Sequence, residues 1–228
     1  MVNMKRIAVL ISNKGTGSNL AAILGSIDKG KIKNGKVIVV VSDKKDAQGL
    51  IHAKKRSIPT VIFPLKDYKN KNIRSKYDTD LAKILKKEFK VDVVVLAGWM
   101  LILSKDFIKH FPYKTINLHP GLLPDSGTYI NLSNGKRLKA IRGLHTNAAV
   151  QYAIDHKYGV TGSTVHFITP IVDTGPVILR SEVKIRKNDT VESLYERMKK
   201  EEHKILPLAI NLFCNDKLKV INRKVEIT

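Results

Sequence analysis

Apolar residues recur along this chain in two rhythms. Short runs rich in Val, Ile and Leu occupy residues 5–12 (KRIAVLIS), 36–42 (KVIVVVS), 60–63 and 91–96 (VDVVVL). Runs of this length without polar alternation read as strands buried on both faces, the habit of a parallel sheet. Between them, residues 18–26, 47–55 and 73–89 read as helices. In the last of these, Tyr77, Leu81, Ile84 and Leu85 share one face. Ser18 or Asn19 is the expected cap of the first helix. Such alternation predicts right-handed βαβ units and an α/β fold.

The pattern continues less regularly. Residues 104–110 fit a short helix, and 115–118 a strand running into Asn117-Leu118-His119-Pro120. Gly, Pro, Asp, Ser and Asn then dominate up to Gly135, followed by Lys136, Arg137, Lys139 and Arg142. Residues 121–143 therefore read as a long loop, with a hairpin near Asn134-Gly135. Residues 145–156 have a helical pattern. Residues 162–168 and 175–185 read as strands paired antiparallel. Residues 191–212 read as a long terminal helix in which Pro207 predicts a kink or break. No repeat or linker divides the chain, so one domain over 1–228 is expected.

Composition narrows the class. At 228 residues and 43% hydrophobic content, the chain can bury a sizeable core. Its single cysteine, Cys214, rules out an intramolecular disulfide and any zinc site built on several thiolates. That usage fits a reducing, cytoplasmic setting. No run reaches the length of a membrane span or a signal-peptide core, so no membrane association is expected.

Charge is the unusual feature. Forty-one Lys and Arg against 20 Asp and Glu give a formal +21. Phosphate neutralisation on a nucleic acid is one reading. However, the basic residues are spread over 29–33, 66–76, 86–90 and 197–204, without interleaved aromatics. Nucleic acid is therefore not the expected partner. A basic field would still attract an anionic small substrate.

Three segments carry candidate chemistry. Gly15-Thr16-Gly17-Ser18-Asn19 follows the first strand and opens a helix. Glycines there let the backbone approach an anion, and helix N-terminal amides point at it. Neither the dinucleotide fingerprint nor the Walker ending is present, and a glycine-requiring turn is the alternative. Second, Asn117 and His119, two apart on a strand, point the same way. An amide donor beside an imidazole suits a reaction in which a carbonyl oxygen gains charge while an amine loses a proton. A satisfied polar strand end is the alternative. Third, Asp173 lies in a turn-forming stretch and could stabilise a charged histidine, or be an ordinary turn aspartate.

Together these segments resemble the folate-dependent phosphoribosylglycinamide formyltransferases. The resemblance runs from Arg6 to about Leu218. It also includes Leu96-Ala-Gly-Trp-Met100, Gly121-Leu-Leu-Pro124, Gly143-Leu-His145, the run from Gly162 to His166-Phe, and Asp173-Thr-Gly-Pro176. It implies a Rossmann-like, mostly parallel sheet with an antiparallel C-terminal extension. The substrate half would span about 1–115 and the folate half about 116–228. It implies formyl transfer from 10-formyltetrahydrofolate to the amine of 5′-phosphoribosylglycinamide in purine synthesis, with no metal, by a monomer or homodimer.

By the same resemblance, Asn117, His119 and Asp173 are catalytic and His166 is supporting. Gly15, Thr16, Gly17, Ser18 and Asn19 hold the phosphate, and Glu202 the ribose. Arg74, Met100, Leu101, Ile102, Leu103, Thr169, Pro170, Ile171 and Val172 meet the folate or its surroundings. Three departures stand out. Asn13 and Lys14 lengthen the phosphate loop, where Lys14 would add a charge. Leu101 replaces a frequent arginine. Residues 125–142 form a basic insertion that reads as a lid, a partner-binding loop or a tolerated surface extension, the last being favoured. Methionyl-tRNA formyltransferase and formyltetrahydrofolate hydrolase are the nearest rivals. Each normally carries a further domain for which this chain has no room.

Overall fold

The apolar runs assemble into one twisted sheet in a computed structural model describing residues 4–12, 15–68 and 73–228. The first strands and helices are β1 (Lys5–Ile11), α1 (Ser18–Asp28), β2 (Gly35–Ser42), α2 (Gly49–Lys54), β3 (Thr60–Ile62), α3 (Ile73–Lys83), β4 (Val93–Leu96) and α4 (Lys105–Ile108). They are followed by β5 (Thr115–His119), β6 (Tyr129–Asn131), β7 (Arg137–Lys139), α5 (Thr146–Asp155), β8 (Val160–Phe167), β9 (Val177–Lys184) and α6 (Val191–Cys214). A hairpin of β10 (Leu218–Ile221) and β11 (Lys224–Ile227) ends the chain.

The seven-stranded sheet has the order β3-β2-β1-β4-β5-β8-β9. Strands β3 to β5 are parallel to one another, and β8 and β9 join antiparallel. The mostly parallel sheet and the antiparallel C-terminal extension are thus both present. Alternate residues of β1 face opposite layers. Ile7, Val9 and Ile11 pack with α1, α2 and α6, whereas Ala8 and Leu10 pack with α3 and α4. Each fully buried Leu or Ile contributes roughly 1.5–3 kcal/mol.

The chain leaves β1 toward β2 on one side and returns to β4 on the other. Loops at such a reversal diverge and leave a crevice at the strand carboxyl ends, where α/β proteins bind ligands.

Several elements differ from the sequence pattern. Neither Ser18 nor Asn19 caps α1. Gly17 does, in the left-handed region at φ +70°, with no side-chain cap bond. A Cβ on Gly17 would meet Gly49 Cα at 2.4 Å, so the close approach of α1 to α2 requires glycine there. The helix expected over 73–89 is α-helical only to Lys83, and a π turn, Ile84–Glu88, closes it. Helix α6 runs unbroken through Pro207. Buried Leu194, Met198, Leu206 and Ile210 hold it on the sheet and offset the missing hydrogen bond. The 121–143 region is not simply loop: β6 and β7 pair around Gly135, as Asn134-Gly135 predicts. Among the described residues, no helix is long and apolar enough to cross a membrane.

Candidate functional site

Strand β5 ends at the crevice with Asn117 and His119 on the face opposite buried Ile116. The antiparallel register with β8 sets His166 opposite Asn117 and Thr164 opposite His119. The loop between β8 and β9 folds back over this row and brings Asp173 down onto both histidines. Its carboxylate lies 3.3 Å from His119 Nδ1 and 3.7 Å from His166 Nε2. Asp173 is itself in the left-handed region, at φ +53°. That conformation costs on the order of 1 kcal/mol and is held by the Gly143 amide, which donates to Asp173 Oδ2 at 2.8 Å.

The hydrogen bonds assign the protons. His166 Nδ1 lies 2.9 Å from the Phe167 carbonyl and must donate to it. Its Nε2 therefore accepts from Asn117 Nδ2, 3.1 Å away. Burial pushes the His166 pKa down to about 4, against the pull of Asp173, so this ring is neutral at pH 7. His119 Nε2 lies 2.7 Å from the Ile141 carbonyl and also carries a proton. Burial lowers the His119 pKa as well, while Asp173 and the Ile141 carbonyl oppose that shift. A Cβ at position 121 would meet His119 Nε2 at 2.7 Å, which explains Gly121. The Thr164 hydroxyl accepts from Leu123 N at 3.0 Å and donates to Gly121 O at 2.7 Å, fixing the turn beyond His119.

Asn117, His119, His166 and Asp173 line a cleft of about 330 Å³. Met100, Leu101, Ile102 and Leu103 form one wall, and Ile168, Thr169 and Val172 another. Pro170 and Ile171 are exposed outside the lining, with Ile171 67% exposed. Thr169 and Thr174 pin this second loop through the Ile171 carbonyl at 3.0 and 2.9 Å.

Arg74 does not line the cleft. Its guanidinium bonds the Ile102 carbonyl and pairs with buried Asp78 at 3.2 Å, while Asp78 accepts from Ser104 N at 2.7 Å. Ser12, at the end of β1, braces the other end of the first wall. Its hydroxyl accepts from Met100 N at 2.5 Å and donates to Gly98 O at 3.2 Å. Sequence reasoning missed Ser12 and Asp78. A polar residue ending a buried strand, and an acid within a helical apolar face, are the signals that could have marked them.

A second polar cluster, away from this cleft, joins α1, β8 and α6. Glu202 of α6 is 2% exposed, and its Oε1 accepts from Ser163 Oγ at 2.9 Å. The Asn19 side chain also bonds it, and burial raises its pKa against both bonds. Among the described residues, Glu202 Oε2 and Asn19 Oδ1 are buried without a hydrogen-bond partner. Two orphaned acceptors facing a helix N-terminus suit a ligand carrying hydroxyl donors. Gly15 and Thr16 are exposed, and Gly17, Ser18 and Asn19 half-buried, at the start of α1. The Thr16 carbonyl bonds His52 Nε2 at 3.0 Å. Asn13 and Lys14 lie outside the described residues. No cluster of three or more His, Cys, Asp or Glu able to hold a metal ion occurs among the described residues.

The chain is similar to known proteins over most of its length. The family model for formyl transferase matches residues 5–210. The chain is 35% identical to the phosphoribosylglycinamide formyltransferase of Haemophilus influenzae, over 95% of this chain and 91% of that protein. It is 39% identical to the trifunctional purine biosynthetic protein adenosine-3 of Bos taurus over 92% of its length, but spans only 18% of that longer protein. The glycinamide ribonucleotide transformylase 1 structure from Symbiobacterium toebii superposes with a TM-score of 0.84 at 38% identity, covering 98% of this chain and 94% of that one. The chain belongs to the formyl transferase family.

Proposed function

We propose that this chain transfers the formyl group of 10-formyltetrahydrofolate to the amine of 5′-phosphoribosylglycinamide, a step of purine synthesis in the cytoplasm. The observation that carries this reading is the Asn117–His119–His166–Asp173 cluster in an apolar-walled cleft. The walls formed by residues 100–103 and by Ile168, Thr169 and Val172 suit a flat pterin ring. The Gly15–Asn19 loop suits a phosphate, and the orphaned Glu202 and Asn19 oxygens suit ribose hydroxyls.

The glycinamide nitrogen attacks the formyl carbon, and charge gathers on the former carbonyl oxygen. Asn117 Nδ2 has one N–H committed to His166 and a second free to meet that oxygen. When protonated, His119 is held between the Ile141 carbonyl on Nε2 and Asp173 on Nδ1, and its positive charge favours the developing oxyanion. Collapse of the intermediate expels the folate nitrogen, which takes up the proton the amine has lost. His119 and Asp173 stand where that proton can pass. Neutral His166 cannot share the role at pH 7. It orients the Asn117 amide instead.

Competition among acceptors tests the assignment. With glycinamide ribonucleotide, initiator tRNA and water offered together, formyl transfer is expected on the ribonucleotide. Formylation confined to tRNA, or release of formate alone, would overturn it.

A further inference from the structure

The 125–142 segment reaches the reaction centre through its own backbone. At its end, the Ile141 carbonyl receives the His119 Nε2 proton at 2.7 Å, and the Gly143 amide binds Asp173 Oδ2 at 2.8 Å. Between these two contacts stands Arg142, whose guanidinium donates to the Gly127 carbonyl at 2.8 Å. That bond ties the outgoing base of the segment to its incoming base. Next to it, Ala140 N bonds Thr128 O at 2.9 Å, and beyond that β6 and β7 pair. The incoming base is anchored in turn by Arg180, which bonds the Leu123 carbonyl and pairs with Asp125 at 2.6 Å. The Ile141 side chain packs against Ala149 and Ala153 of α5, which fixes the other side of its peptide.

We infer that Arg142 is a positioning residue for the transfer reaction. By bonding Gly127 it holds the Ile141 carbonyl on His119 Nε2 and the Gly143 amide on Asp173. The proton thus stays on Nε2, and Nδ1 is presented to the carboxylate. This rests on the formyl-transfer reading for its kinetic consequence but not for its structural one. Arg142 Nε is buried without a hydrogen-bond partner among the described residues. A guanidinium with an unpaired buried N–H stabilises a loop poorly, so its placement is explained by the contacts on either side of it. The base of the segment, at Ile141 and Arg142, is then part of the active site, while the hairpin that carries Arg137 is a surface extension.

The test combines kinetics with the protonation state of His119. Arg142→Ala is expected to lower kcat by roughly 10- to 100-fold, the scale of a misplaced catalytic group, with KM for both substrates nearly unchanged. Arg142→Lys, which keeps a donor for Gly127, is expected to recover most of the rate. Arg137→Ala removes an equal charge at the hairpin, where Arg137 lies 4.4 Å over the Tyr129 ring, and is expected to leave the rate unchanged. In ¹⁵N-histidine spectra, with His119 assigned through His119→Gln, wild-type Nε2 is expected to stay protonated as Nδ1 titrates. In Arg142→Ala the neutral ring is expected to divide between two tautomers. An unaltered His119 spectrum in Arg142→Ala, or equal rate losses in Arg142→Ala and Arg137→Ala, would overturn the inference. A tautomer change in a protein that does not formylate glycinamide ribonucleotide would retain the positioning role and remove the functional reading.

Discussion

Single residues at this site have divided duties that their types alone do not disclose. Asn117 and His119 were legible as a pair because the two-residue strand period fixes their common face. The partner of each was not legible, because it depends on the β5–β8 register and on a loop that folds back. Asn117 holds His166, and His119 meets Ile141 and Asp173. Replacing Asn117 with Ala removes an oxyanion donor worth roughly 2.7–4 kcal/mol and frees the His166 ring. A fall in kcat of at least about 10²-fold is expected, and turnover within a few-fold of wild type in a steady-state assay would contradict the role.

The buried histidines also couple stability to pH. The His166 pKa is lowered to about 4 from an ordinary 6.5, so between these values the unfolded chain binds the additional proton. Its stabilising contribution is complete above about pH 6.5 and is lost as pH falls through about 4. His119 acts in the same direction. Glu202, whose pKa is raised, acts oppositely and loses its contribution as pH rises above 4.5. The contribution of the histidine is therefore isolated by comparison. Urea midpoints of wild type and His166→Asn are expected to diverge at pH 7 and converge toward pH 5. Parallel midpoints at the two pH values would refute the assignment of His166 as buried and neutral.

At the scale of elements, the parallel core was legible because both faces of its strands are apolar. Boundaries set by tertiary contact were not. Gly17 displaces Ser18 as cap because two helix ends touch, and α6 tolerates Pro207 because its buried face outweighs one bond. Arg74 shows the same limit. Resemblance places it near the folate, whereas the fold commits its guanidinium to Asp78 and Ile102, behind the cleft wall. These two placements predict different outcomes for Arg74→Gln. If the residue braces the wall, stability is expected to drop by about 1–3 kcal/mol, because Asp78 loses a partner in the interior. The folate KM should rise together with that loss. A raised KM with an unchanged melting temperature would instead place Arg74 against the ligand.

For the whole molecule, the surplus of 41 basic over 20 acidic residues is the feature least explained by fold. Many acidic groups are already paired internally, among them Asp28 with Arg56, Asp80 with Lys76, Asp125 with Arg180 and Asp189 with Arg197. The remaining positive field reaches solvent over a distance set by the Debye length, about 10 Å at 0.1 M salt. A doubly charged phosphate substrate entering beside Gly15–Asn19 would be drawn by that field, and a neutral analogue would not. Raising salt from about 20 to about 300 mM is expected to lower kcat/KM for the phosphorylated acceptor several-fold, mainly through KM. The same acceptor without its phosphate should change less than about two-fold, because screening removes an attraction it never had. Equal salt slopes for the two acceptors would mean that the charge serves something other than substrate capture. A slope confined to the phosphorylated one would tie the composition of the entire chain to the loop at the start of α1.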